Sequence, residues 1–581
     1  MTQTRANLAL LAFTLLLACG GPALAETTEA EEDLHDVLYS EDSYPTASQC
    51  KTCHEQIYNE WRSSSHAYAG ISPMFHKFEQ KINDLTSGTI GTFCVRCHQS
   101  GGTVLGEDRW APLWERSQIS REGVTCITCH RVAEQYARGT NGERRIIPGE
   151  IYEPMYGPIG GSGVAKVVED KSYWKVATGP DERGAKIHTK GIKFDQMSKS
   201  EFCASCHQVA VNLGIKLEVV WDQYRASPAA AEGITCQDCH MSKDPGIPSG
   251  FEVGPVAVVN DEPVDETRIH HNHAFAGPGY SIAHPGIFPH NADAEQWTIE
   301  EWLQFDFRAG WGTEEFEEQV DAGELEVAFP EVWSDPFDRE EAWEIIQSNI
   351  EANLEKQELR RRVMENGSRI DGPYFDGTPS VGSSLSFTYN ITNTNKGHNL
   401  PSGSLGAQPE IWLNVALIDP DGNNVWESGY VDSIGDMADV RSIDVLEGRL
   451  PADLQLVNLQ SKFLTTNVKG TDREMSLPVN LDVDQLPFLR PPGVPTTVLN
   501  HPPNVRMEAR SIPPLGVRVA NYTVPAGVIS TPGTYRLAVR LRNRAEPIYF
   551  MRFVEATSEM EQAMNQWILD IHPYTVEFEV K

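Results

Sequence analysis

The stretches "EGVTCITCH" (Glu122–His130) and "EGITCQDCH" (Glu232–His240) are one nine-residue phrase written twice, 110 residues apart. Upstream of the first stands "FCVRCHQ" (Phe93–Gln99), and upstream of the second "FCASCHQ" (Phe202–Gln208). His98 and His130 are 32 residues apart, and His207 and His240 are 33, so the repeating unit is a pair of Cys-x-x-Cys-His motifs. A fifth motif, "CKTCH" (Cys50–His54), precedes both pairs.

Cys-x-x-Cys alone fits a disulfide, half a zinc site or a haem attachment, and the residue that follows separates the three. All five pairs are followed by His in a chain holding 17 histidines among 581 residues. Zinc would not demand His at the same offset each time, and a disulfide framework would not demand His at all. The spacing therefore predicts five covalently attached haem c groups. Their thioethers form at Cys50 and Cys53, Cys94 and Cys97, Cys126 and Cys129, Cys203 and Cys206, and Cys236 and Cys239. The next side chain reaches each iron, so the proximal ligands are His54, His98, His130, His207 and His240. Five haems within residues 50–240 leave about 38 residues each, too few for five separate cores. The cofactors must supply much of the interior and lie close together, as electron hopping requires.

Four further histidines stand in phrases that favour a sixth ligand. They are His66 in "WRSSSHAYAG", on what reads as a helix running on from the first motif; His188, near the second pair; His273 in "HHNHAFAGPG"; and His398 in "NKGHNLPSGS". A fifth would come from His76, His270, His271, His284 or His290, while His35, His501 and His572 are set aside.

The phrases "CHEQIYNEWRSSSHA", "SEFCASCH", "WDQYRASPAAAEGITCQDCHM" and "GHNLPSG" resemble the large multihaem c-type cytochromes. The haem-bearing part is similar to the tetrahaem electron carrier of ammonia oxidation and more remotely to hydroxylamine oxidoreductase. The resemblance covers Tyr44 to about Pro289. It implies mostly helical, haem-packed architecture and mainly bis-histidine irons, with His66, His273 and His398 in distal positions. The chain departs from the small carrier in having five motifs and a long C-terminal extension. It has no Cys-x-x-Cys-Lys, the mark of the catalytic haem in nitrite-reducing relatives.

Composition sets the surroundings. With 48 basic and 82 acidic residues the formal charge is −34, which repels nucleic acid and favours redox proteins with basic docking patches. Arg5, the apolar run Leu8–Ala18 and "ALAE" read as an export signal cleaved after Ala25 (residues 1–25). The rival reading is a lipoprotein box ending at Cys19, which would leave a lipid anchor. Either way the protein is exported, to the periplasm or cell surface. Residues 26–43 hold eight acids and no Lys or Arg, an acidic tail. Residues 44–295 form the pentahaem cytochrome domain, with Gly157–Gly163 as a flexible loop.

Residues 296–368 read as a helical connector, with a stripe at Trp343, Ile346, Ile350, Leu354 and Val363. A capping box is expected at Asp338 and Glu341, and a stop at Asn366-Gly367. Beyond that the period becomes two: Leu385, Phe387, Tyr389, Ile391; Tyr535, Leu537, Val539, Leu541; Val576, Phe578, Val580. "DPDGNN" (Asp419–Asn424) supplies a hairpin turn. Residues 369–581 are thus expected to form an immunoglobulin-like β-sandwich, and the whole an α+β multidomain protein. Electron relay is the leading function, a carrier rather than a catalyst. The alternatives are an oxidoreductase acting on a small nitrogen or sulfur compound at one open haem, and a filament or other homo-oligomer joined through the sandwich. The "RGAKIHTKGIK" stretch (Arg183–Lys193) is the one basic candidate for anion capture.

Overall fold

The computed structural model describes residues 44–581 apart from 89, 136–140, 211–215, 404–407, 467–474, 477–503 and 509. The export signal, the acidic tail, Cys19, His35 and His501 lie outside the described residues.

Each motif is a single helical turn. The His98 amide donates to Cys94 O at 3.3 Å, His54 to Cys50 O at 3.0 Å and His207 to Cys203 O at 3.1 Å. Cys126–His130 and Cys236–His240 are assigned helix outright. Positions i, i+3 and i+4 share one helix face, so both thiols and the imidazole leave on the same side. The helices around the motifs are short. Helix α1 spans Glu55–Arg62, and α2, the longest described before residue 296, spans the 14 residues Pro73–Thr86. Between them α1 stops at Arg62, so His66 follows a turn and caps a separate 3-10 turn, Ala67–Gly70. Much of 271–291 is irregular. The expected flexible loop at Gly157–Gly163 is shorter than that: Gly157 ends a strand, Ser162 and Gly163 open a helix, and the turn between is packed, since a Cβ on Gly161 would stand 2.6 Å from the Gly191 backbone. Only glycines permit that approach, and it seats the segment carrying His188.

Helix α3, Pro336–Gly367, is the spine. Asp335 caps it, accepting from the Phe337 amide at 3.0 Å, and Pro336 fills the first helical position. The helix therefore starts before the expected box, and Asp338 lies inside its first turn. It ends at Gly367, at the expected stop. Its first half buries Ala342, Ile345 and Ile346 against Trp302, Phe305, Trp311, Phe316 and Trp333. Its second half buries Asn349, Asn353, Lys356 and Arg360, while Leu354 of the expected stripe is 55% exposed. The polar face has work to do: Asn349 donates to Pro285 O at 2.7 Å, Arg360 to Pro278 O at 3.0 Å and Asn366 to Pro245 O at 2.9 Å. These bonds satisfy carbonyls of irregular segments that have no ladder of their own.

Beyond α3 the described residues form three sheets; the smallest joins Met475–Ser476, Lys462–Thr466 and Asn504–Glu508 in that spatial order, and the other two hold eight strands. The first sheet joins β1 (Ser368–Phe375), β2 (Leu385–Asn393) and β6 (Val517–Val524) in the order β1-β2-β6. The second joins β4 (Asn424–Ser428), β3 (Glu410–Ile418), β7 (Gly533–Arg544) and β8 (Leu569–Val580) in that spatial order, with β5 (Val457–Asn458) also pairing β3. Asp419–Asn423 turns β3 into β4, with the Asp419 amide on Asn423 O at 2.9 Å. Phe387, Tyr389, Ile391 and Tyr522 from one sheet and Leu413, Val415, Leu537 and Val539 from the other share one core. The outer face of β3 is covered as well. There Arg544 donates to Glu410 and to Asn565, both members of the Arg544–Glu410 pair being fully buried. A second cluster joins Ile548–Val554 to Met74 on α2 and to Tyr280, so the sheets and the motif-bearing part belong to one compact unit, Asp42–Lys581. Among the described residues no helix is long and apolar enough to cross a membrane.

Removing one partner of a buried pair leaves an uncompensated charge. Arg544→Met is expected to cost about 3–5 kcal/mol, read as a lower denaturant midpoint by far-ultraviolet circular dichroism. An unchanged midpoint would show that Glu410 finds another partner.

Candidate functional site

The five motif histidines face inward, and four of them meet a second histidine. His54 lies 6.5 Å from His188 between ring centroids, with 12° between the planes. His207 lies 6.2 Å from His66 at 48°, His130 lies 6.5 Å from His273 at 32°, and His240 lies 6.2 Å from His398 at 16°. These separations are too long for stacking. Two metal–nitrogen bonds of about 2.0–2.1 Å, plus about 1.1 Å from each nitrogen to its ring centre, give roughly 6.3 Å. The pairs thus have the spacing of two imidazoles on opposite sides of one iron.

Protonation agrees with that geometry. Burial, aided for several rings by the facing histidine, pushes the pKa of His66 and His273 down to about 3 and of His188 and His240 down to about 4. Burial likewise lowers His54, His130, His207 and His398. Neutral imidazole is the ligand form. Several rings are oriented by a backbone carbonyl: His54 Nδ1 lies 2.6 Å from Val256 O, His130 Nδ1 2.7 Å from Tyr156 O and His398 Nδ1 3.0 Å from Asn399 O. A carbonyl can only accept, so Nδ1 carries the proton and Nε2 keeps its lone pair for a metal.

His98 differs. Phe75 stacks on it at 4.1 Å and 9°, and among the described residues no histidine stands opposite it. Four of the five residues from which a fifth distal ligand was expected use Nε2 elsewhere. His76 is on Gly70 O at 2.8 Å, His270 on Glu60 Oε1 at 2.7 Å, His284 on Phe305 O at 3.2 Å and His290 on Ala67 O at 2.9 Å. His271 packs against Phe251 at 4.1 Å. His188, expected near the second motif pair, faces the first motif instead. The parallel pairing of Met155–Gly157 with Gly191–Lys193 brings it there, a contact that sequence distance hides.

Sulfur positions give the order of the motifs. The sulfur of Cys126 lies beside that of Cys50, that of Cys97 beside Cys206, and that of Cys203 beside Cys236. The first motif is therefore beside the third, the second beside the fourth, and the fourth beside the fifth. Arg144 Nη2 lies 2.8 Å from the Cys206 sulfur and holds that crossing. The two copies of the opening phrase are used differently. Glu122 is buried and accepts from the Ala47 amide at 2.9 Å and from Thr125 Oγ1 at 2.6 Å, tying the third motif to the first. Glu232 is at the surface and pairs with Lys396 at 2.7 Å, tying the fifth to the loop of His398.

Residues 49–131 match the family model for cytochrome c554 and c-prime, a span that contains the first three motifs. The match supports a c-type cytochrome with covalently bound haem c and a part in electron transfer. No curated protein matches the chain. Among solved structures, Pseudomonas fluorescens alkylpurine DNA glycosylase AlkC bound to DNA containing an abasic site analog is similar over 43% of this chain and 41% of that one, at 10% identity and a TM-score of 0.13. So low a score carries no argument.

Burial pushes the Glu122 carboxyl up to about 7. In the unfolded chain it ionises near the ordinary 4.5, so between these values unfolding releases a proton and stability falls as pH rises. Glu122→Gln should flatten that part of the profile, so the variant's melting temperature rises relative to that of wild type as pH goes from about 4.5 to about 7. A difference constant from pH 4 to 8 would refute the assignment.

Proposed function

We propose that the protein is an exported pentahaem c-type cytochrome that relays electrons between redox partners. The observation that carries this reading is the set of four histidine pairs at 6.2–6.5 Å, each pairing one motif histidine with one of His66, His188, His273 and His398. When bound, each haem would supply one iron that accepts and passes a single electron. The chain's own residues do the rest. The ten motif cysteines fix the groups, and the eight paired imidazoles give the same two strong neutral ligands in both oxidation states, which suits transfer without rearrangement. The sulfur contacts favour a path from the first motif through the third to the fourth, with the second and fifth as its two branches, supported by burial of Cys129 beside Cys206. The charge of −34 favours partners with basic docking surfaces. We read the C-terminal sheets as a sandwich that caps the fifth haem through His398, and the motif-bearing part as kin to the tetrahaem carrier of ammonia oxidation.

A second reading is favoured by one specific observation: among the described residues no histidine faces His98. An iron there would have an open position, as an oxidoreductase acting on a small nitrogen or sulfur compound needs. The two readings separate by spectroscopy. Low-temperature paramagnetic resonance of the oxidised protein should show four low-spin irons and one high-spin iron, and the reduced protein should bind one equivalent of carbon monoxide. His398→Ala should raise the high-spin share to two in five. Five low-spin irons in the wild type would remove the open site, and an unchanged share in the variant would remove His398 as a ligand.

A further inference from the structure

Helix α3 carries two cations into the interior where no acid meets them. Lys356 is 6% exposed and Arg360 1%. Among the described residues Lys356 Nζ has no hydrogen-bond partner, and neither has Arg360 Nη2. The remainder of Arg360 is held in place: Nε donates to Pro278 O at 3.0 Å, and Nη1 donates to Trp567 O at 3.2 Å and to the Gln357 side chain. Lys356 Nζ lies 4.1 Å over the Tyr68 ring and 5.5 Å over Phe288, faces that offer partial negative charge but no counter-ion.

Burial, and then the neighbouring cation Arg360, hold the Lys356 amine well below its ordinary range. Glu546 approaches Tyr68 from the C-terminal part, but burial pushes its carboxyl up to about 8 with no cation offsetting it, so it does not neutralise Lys356. Two buried cations side by side, each with an idle donor, are costly unless an anion joins them.

Their place tells which anion. Lys356 and Arg360 line a narrow cleft with Ser63, Ser65, Phe275 and Gly277. Ser65 precedes His66, and the Phe275 ring lies 4.5 Å from the His66 ring. The cleft thus opens beside the pair His66 and His207, and Lys356 is near enough to act on His66.

We infer that Lys356 Nζ and Arg360 Nη2 receive a propionate carboxylate of the haem ligated by His66 and His207. The inference rests on the haem reading above. It gives the polar half of α3 a reason: a helix from outside the motif region neutralises a cofactor carboxylate that would otherwise be buried bare. A cation at that place also stabilises the ferrous state relative to the ferric, so Lys356 is a positioning residue that sets a potential.

The test uses the full chain with its haems, comparing wild type with Lys356→Gln, Lys356→Arg and Lys356→Met. Intact mass counts the haems, and spectroelectrochemistry resolves the reduction steps. The expected result is five haems throughout, one step shifted to lower potential in Lys356→Gln, and that shift restored in Lys356→Arg. Five haems with all steps unchanged in Lys356→Gln would overturn the inference while leaving the haem reading intact. Fewer than five in the wild type would instead overturn the haem count.

Lys356→Met gives a second readout that needs no potential. If the amine pairs with a propionate, its loss leaves that carboxylate bare and lowers the melting temperature; if the amine is unpaired, its loss raises it. A rise overturns the proposal.

Discussion

Two neutral imidazoles held about one iron's width apart are the constraint from which the remaining architecture follows. Each ring must be kept from protonating, kept from rotating and kept from collapsing onto its partner. Burial meets the first demand, and carbonyls such as Val256 O, Tyr156 O and Asn399 O meet the second for His54, His130 and His398. Backbone from distant parts of the chain meets the third. His188 arrives through a parallel pairing, His273 through an irregular segment braced by α3, and His398 through a loop of the C-terminal sheets.

That demand explains why a spine helix is polar where helices are usually apolar. The segment 271–291 has few backbone partners of its own, since its course is set by where His273 must stand. Asn349 and Arg360 supply missing donors from α3, and Asn366 does the same for Pro245 in the irregular stretch after the fifth motif. The aromatic half of the same helix closes a conventional core around Trp302 and Trp333. One helix therefore serves as core wall at one end and as hydrogen-bond donor strip at the other.

Local chemistry was legible in the sequence, and spatial assignment was not. The five Cys-x-x-Cys-His turns and the period-two strands are read from neighbours in the chain, and the turn geometry and alternating burial of β2 and β7 follow the same rules. The four singled-out histidines all lie across from a motif histidine, but which faces which depends on contacts between residues as far apart as 66 and 207. The Asp335 cap escaped notice because Pro336 shifts the start of α3 before the apolar stripe begins. The stripe itself misled in the second half of α3, where Lys356 and Arg360 rather than Leu354 turn inward. Nothing in the motif at Cys94–His98 distinguishes it from the others; its difference is Phe75, which α2 stacks on His98 where, among the described residues, no histidine stands.

The loop of His398 is held from both sides. Asn393 donates to the His398 carbonyl at 3.0 Å and to Ile512 O at 3.0 Å, while Gln223 accepts from the Asn399 amide at 3.1 Å and from Ser402 at 2.7 Å. The residue facing His240 is thus fixed only after strands as distant as 512 have come together. In a chain threaded outward from its N-terminus, the first, third and fourth motifs can acquire their facing histidines while the C-terminal half is still being delivered. The fifth cannot. Completion of that last pair reports that the C-terminal strands have arrived and folded, so a nicked or prematurely ended chain would be recognisable by a His240 with nothing opposite it.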